Sequence, residues 1–195
     1  MLKLGAPYTK DEIAAAFAAE HTAVHQFFQQ IPQDDFFTAP ADVWTPADNL
    51  FHLTASSNPI VLALRLPKFL IRLRFGKAKH ASRSLATVRQ EYTGVALAGG
   101  GVASGPYVPN ITEHSAAKKE RILAKWLETG HKIENAVPKW SEKDLDALAV
   151  PHPLLGDMTI REILFFTLYH NLHHVRDVQQ LLGQPLDEWF EPVHK

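Results

Sequence analysis

The sequence predicts an all-α protein, a four-helix bundle with long loops and one short extra helix, and three observations lead there. Four long segments repeat apolar residues at helical spacing, the longest of them open and close on recognisable capping residues, and no stretch alternates apolar and polar residues as a strand would. No internal repeat appears, and a length of 195 residues suits one domain, 1–195, with a sizeable core.

The first helix opens on Thr9 with Glu12 three residues on, a capping box, and runs to about Ile31, where Pro32 ends it. Ile13, Phe17, Val24, Phe28 and Ile31 form its apolar stripe; His21 and His25 lie near it and read as packed or surface histidines. The second helix starts at Thr45, with Pro46 in the first helical position and Asp48 in the first turn. Leu50, Leu53, Ser57, Ile60, Val61 and Leu64 make its main stripe, and Pro59 is expected to kink or divide it. His52 stands off the centre of that stripe, so periodicity alone does not turn it inward. Between Arg65 and Gln90 lie eight basic residues and no acid. The usual meaning of such a run is a solvated basic rim, and the functional alternative is an anion rim at Arg72 and Arg74. Interleaved Phe69, Leu70, Ile71 and Phe75 would also permit a membrane-surface or partner-binding helix.

The following LAGGGVASGPYVPN lacks the strand, helix and Lys-Ser/Thr ending of a phosphate loop and reads as a mobile loop, suited to covering a neighbouring pocket. The third helix begins between Thr112 and Ser115 and ends near Ala136, a short turn of helix follows from Ser141 to Leu148, and VPHPLLGDM makes a bend containing His152. The fourth helix runs from Thr159, capped by Glu162, to Gly183, with Pro185 beyond. Trp189 and Phe190 of the tail are expected to fold back on the bundle.

At 100° per residue the fourth helix places Ile163, Thr167, His170, His174, Val178 and Leu181 toward the core, and Arg161, Glu162, Tyr169, Arg176, Gln179 and Gln180 outward. A core-facing stripe is ordinarily filled by Leu or Ile, so two imidazoles at i and i+4 are informative. They stand one above the other, with nitrogens able to converge on a single ion, and neutral imidazole is a common ligand of transition metals. The plain alternative is a pair of hydrogen-bonded core histidines. His173 projects toward the edge of the polar face.

Composition narrows the chemistry. Twenty Lys and Arg balance 21 Asp and Glu, for a net charge of −1, which gives no reason to expect a nucleic-acid partner. The absence of cysteine excludes disulfides and thiolate metal sites, so any thiol chemistry must come from a cosubstrate. The N-terminal residues lack a signal-peptide core and no apolar run reaches spanning length, so a cytoplasmic protein with no membrane partner is expected.

Two elements carry a family resemblance: WTPADNLFHL in the second helix, and HPLLGDMTIREILFFTLYHNLHHVRDVQQL far downstream. Together they resemble the DinB-like (YfiT-type) superfamily over nearly the whole chain. The resemblance implies a bundle carrying a divalent metal, zinc or nickel, held by one histidine of helix two and two of the late helix, here His52, His170 and His174. Where the family commonly has Gln after His-His-x-x, this chain has Asp177, which with His173 would stand behind the ligands and orient an imidazole, or pair with a surface cation. Relatives of this type include S-transferases and isomerases that use low-molecular-weight thiols, and metal-dependent hydrolases. The leading expectation is therefore a metal-dependent enzyme acting on a small molecule, a thiol-dependent transferase or a hydrolase, with three ligands leaving the ion open to substrate. The alternative is a non-catalytic stress-response protein with a structural or vestigial metal. Glu20, Asp48 and Glu162 are acids near plausible pocket positions without an assigned role, and an exposed bundle face would suit a homodimer.

Overall fold

The structure is a computed structural model that describes residues 2–98 and 103–190. It is mostly helical, with one small sheet. The four long helices are α1 (Lys10–Gln30), α3 (Pro46–Arg65), α6 (Ala116–Glu134) and α8 (Ile160–Leu181); shorter ones are α2 (Gln33–Phe36), α4 (Lys68–Phe75), α5 (Leu85–Glu91) and α7 (Glu142–Ala147). The α5 helix continues as a π-helical segment over Tyr92–Leu97, and single 3₁₀ turns occupy Gly105–Tyr107 and Val137–Lys139. Each long helix packs against two others: α1 on α6, α6 on α3, α3 on α8 and α8 on α1.

Local chemistry sets the ends of these helices. Thr9 with Glu12, Thr45 with Asp48 and Thr159 with Glu162 form reciprocal capping boxes, and Ser115 caps α6 by accepting from the Lys118 amide. Such a cap contributes about 1 kcal/mol and fixes where the helix starts. Gly183, at φ +63°, turns the chain after α8, a conformation glycine adopts without a Cβ clash. Between the helices, Phe17, Phe28, Leu50, Leu53, Trp126 and Phe165 are fully buried. The indoles donate outward from this core, Trp126 to the His21 carbonyl and Trp140 to the Leu64 carbonyl, so neither N–H is left unpaired. His21 is itself packed, edge-on to Trp126, with Nδ1 3.0 Å from Glu134.

Several expectations are corrected. The VPHPLLGDM bend is an antiparallel hairpin, β1 (Ala149–His152) paired with β2 (Gly156–Thr159) in the register Val150 to Met158. Its strands have only four residues each, too few to show a period of two. α3 runs through Pro59 undivided. More short helices occur than the one expected, because the basic stretch after Arg65 folds into α4 and α5. The largest correction concerns α8: Arg161, Glu162, Tyr169 and Gln179, expected on a solvated face, are buried. α5, α7 and β2 pack on that side, and Phe190 approaches Tyr169. The buried charges are paired. Arg161 reaches Asp146 at 2.6 Å, Glu142 at 2.7 Å and the Tyr8 carbonyl, and Glu162 accepts from Arg83 Nε at 2.9 Å. Trp189 and Phe190 are buried, and Gly5 bridges to Phe190.

Candidate metal centre

α3 and α8 bring His52, His170 and His174 together, all buried, with one ring nitrogen from each within 4.8 Å of the others. The ring centroids are 5.1 Å apart for His52 and His170, and 4.7 Å for each of the other pairs. His52, which periodicity did not turn inward, is 7 % exposed. It faces α8 because the aromatic ring of Trp44, 4.9 Å away, and the turn at Tyr107 enclose it.

Hydrogen bonds decide which nitrogens are bare. His52 Nδ1 lies 2.9 Å from the Tyr107 carbonyl, which can only accept, so Nδ1 carries the proton and Nε2 presents its lone pair. Ser56 Oγ, 3.3 Å from that Nε2, is then the donor. On α8, His174 Nδ1 lies 2.8 Å from Asn49 Oδ1. The Asn49 amide is oriented by its other end, since Nδ2 donates to the carbonyls of Trp44 and Thr45, leaving Oδ1 to accept from His174. His174 Nε2 is therefore bare as well. His170 Nε2 lies 3.2 Å from His52 Nε2.

Electrostatics favours the same state. Burial, and then the mutual repulsion of the imidazoles, pushes His170 and His174 well below the usual histidine range, and burial lowers His52. Neutral rings with bare nitrogens are what a metal requires. A tetrahedral ion bound at about 2.0–2.1 Å separates its ligand atoms by roughly 3.3 Å, and the 3.2 Å between His52 and His170 matches that spacing. All-imidazole donors suit a borderline divalent ion, so the group could hold one, with a coordination position left for another molecule.

The surroundings are aromatic. Phe166 stacks on His170 at 5.2 Å, Trp44 stacks on His174 at 5.9 Å, and Tyr92 meets His170 and His173 edge-on at 6.0 and 5.9 Å. Burial holds the Tyr92 phenol well above its usual value, so it stays protonated. His152, packed on Phe166 at 4.3 Å, is pushed down to about 4 by burial and is neutral; its Nδ1 accepts from the amides of Leu154 and Leu155. Asp177 Oδ2 stands 3.6 Å from both His173 Nε2 and His174 Nδ1, beyond hydrogen-bond length. Asn49 is the group that holds His174.

The remaining acids lie elsewhere. Glu162 is consumed by Arg83 and the α8 cap, Asp48 by the α3 cap, and Glu20 is buried with neither oxygen hydrogen-bonded, its carboxyl raised well above the usual range by burial. Arg72 and Arg74 are on α4, beyond the end of α3 and some twenty residues along the chain from His52, and no hydrogen bond or ion pair among the described residues joins them to the three rings. Sequence reasoning missed Asn49 and Tyr92; Trp44 entered only as the start of the WTPADNLFHL element, and Tyr107 only as part of the loop expected to cover a pocket. Asn49 had a signal, being three residues before His52 on the same helix among apolar neighbours. Tyr92 had none, since only folding brings its segment to the rings.

The fold and this geometry define a class: a mostly helical protein with a buried three-histidine centre capable of holding a metal ion. A family profile described as the DinB superfamily matches residues 16–178, and the chain belongs to that superfamily. No curated protein and no solved structure matches it. Among the described residues, no helix is long and apolar enough to cross a membrane.

Proposed function

We propose that this DinB superfamily protein is a metal-dependent enzyme acting on a small molecule, a thiol-dependent S-transferase or a hydrolase, on one domain whose four long helices form the bundle. His52, His170 and His174 are its ligands, with zinc or nickel as the ion. The observation that carries this reading is the pair of fixed tautomers: the Tyr107 carbonyl and Asn49 Oδ1 each accept from a ring Nδ1–H, which leaves Nε2 bare on His52 and His174 within a group of three imidazoles whose nitrogens lie within 4.8 Å of one another. When bound, such an ion lowers the pKa of a coordinated water or thiol toward neutrality.

The chain's own residues supply the rest. Trp44, Phe166 and Tyr92 exclude water around the rings and keep the local dielectric low. A groove of about 730 Å³, lined by Phe51, Ala55, Leu62, Ile122, Lys118 and Tyr107 among others, adjoins the turn whose carbonyl orients His52. Its size and apolar walls suit a small organic molecule, and Lys118 suits an anionic one. Asp177 and His173 form an outer pair beside His174.

Elemental analysis of untagged protein, followed by a screen of low-molecular-weight thiols and hydrolase substrates, tests this reading. One divalent ion per chain is expected, and His174→Ala should lose ion and turnover together. At a hundred times its dissociation constant the ion should stabilise the fold by roughly 2.7 kcal/mol, so a chelator should lower the melting temperature without abolishing folding. A metal-loaded protein that turns over nothing, with histidine variants that lose only thermal stability, would assign the ion a structural role instead.

A further inference from the structure

The α4 helix is turned inside out relative to an ordinary surface helix. Ile71 is its one buried residue. Phe69 and Leu73, each two residues from Ile71 and so about 200° around the axis, face away from the protein and are 68 % and 81 % exposed. A solvated helix places charge on that outer line. Here Arg72 lies on one flank of it, and Leu70 and Arg74 on the other. Arg65, Arg72, Arg74 and Lys77 are all exposed, and none has an ion pair or side-chain hydrogen bond among the described residues; the Arg74 guanidinium only covers the Phe75 ring at 5.3 Å. No acid occurs between residues 65 and 90, and the nearby Asp144 is already paired with Lys68 at 2.6 Å.

We propose that this face of α4 seats the protein on the surface of an anionic lipid bilayer, with Phe69 and Leu73 entering the interface and Arg65, Arg72, Arg74 and Lys77 meeting lipid phosphates. An apolar line between two cationic flanks is the arrangement of a helix that lies in such an interface. A second copy of the chain fits less well, because two-fold pairing through Phe69 and Leu73 sets unpaired guanidiniums against each other.

Co-sedimentation of the full chain with vesicles tests the proposal, comparing phosphatidylcholine alone with phosphatidylcholine mixed with phosphatidylglycerol. Binding is expected to the mixed vesicles only and to weaken with added salt. Arg72→Gln and Arg74→Gln should each weaken it about fivefold, the equivalent of about 1 kcal/mol per basic residue. The double variant Phe69→Ser/Leu73→Ser should weaken it at least about tenfold. All these positions are exposed, so melting temperature and metal content should be unchanged. No binding to the mixed vesicles, equal binding to both kinds, or binding indifferent to these substitutions overturns the proposal. A concentration-dependent dimer that Leu73→Asp dissociates overturns it too, and gives the face to a second copy.

Discussion

His52 and His174 each donate their Nδ1–H to a neutral acceptor, a backbone carbonyl in one case and a side-chain amide oxygen in the other. A neutral acceptor fixes the tautomer without adding charge to a buried site, which distinguishes this arrangement from one built on a carboxylate. Asn49 should therefore matter more than Asp177. Asn49→Leu removes the acceptor and frees the His174 ring, and metal affinity measured by chelator competition is expected to fall 10 to 100-fold. Asn49→Asp keeps an acceptor and should lose less. Asp177→Asn, changing a group 3.6 Å from the ring, should have the smallest effect of the three. A larger loss for Asp177→Asn than for Asn49→Leu would reverse this assignment.

At the scale of elements, the helices were legible wherever their ends were chemical and their stripes apolar, as the caps at Thr9, Thr45, Ser115 and Thr159 show. Sidedness was less legible. Periodicity makes α8 amphipathic, yet it is covered on nearly every side, because Glu142, Asp146 and Arg83 of neighbouring segments reach in to pair with Arg161 and Glu162. A helical wheel registers the polarity of a side chain and not whether another element arrives to neutralise it. Contact between α1 and α6 yields a second prediction. A Cβ at Gly130 would lie 2.6 Å from His21 Nδ1, on a ring wedged between Phe17 and Trp126. Gly130→Ala should destabilise the fold by about 1–3 kcal/mol through overpacking, although alanine is the better helix former by about 1 kcal/mol. Urea denaturation reads the sign directly, and a stabilised variant would show that the two helices can separate at no cost.

Over the whole molecule, Glu162 connects the start of α8 to the segment entering α5. Its carboxylate accepts from the Thr159 amide and from the backbone and side chain of Arg83, which also pairs with Glu91. Burial pushes this carboxyl up, but the hydrogen bonds from Arg83 and Thr159 outweigh it and hold the pKa below the usual value. A depressed folded-state pKa stabilises the protein above the unfolded-state value of about 4.3, and the benefit is lost as pH falls through the folded-state pKa. Arg83→Met leaves the carboxyl buried without its partner, which costs about 3 kcal/mol at neutral pH. The difference between variant and wild type should shrink as pH falls through the variant's folded-state value and then the lower wild-type one, below which Glu162 is protonated in both. Urea midpoints measured from neutral to acid pH check this, and a gap constant with pH would remove Glu162 from the acid limb.

The sequence by itself determined that the protein is built mainly of helices, where the long ones begin and end, and that His170 and His174 share one face of the last. These are local properties, written in capping residues and in the 3.6-residue repeat. The sequence also carried the elements that resemble the family, and with them the pairing of His52 to that face. Only the tertiary structure decided that His52 turns inward, that Asn49 and the Tyr107 carbonyl set the tautomers, that Arg161 and Glu162 are buried, and that Arg72 and Arg74 flank an exposed apolar line on α4. Each of these depends on which segment, distant in sequence, comes to lie against the residue, and a hydrogen-bond partner 55 or 125 residues away leaves no mark on local periodicity.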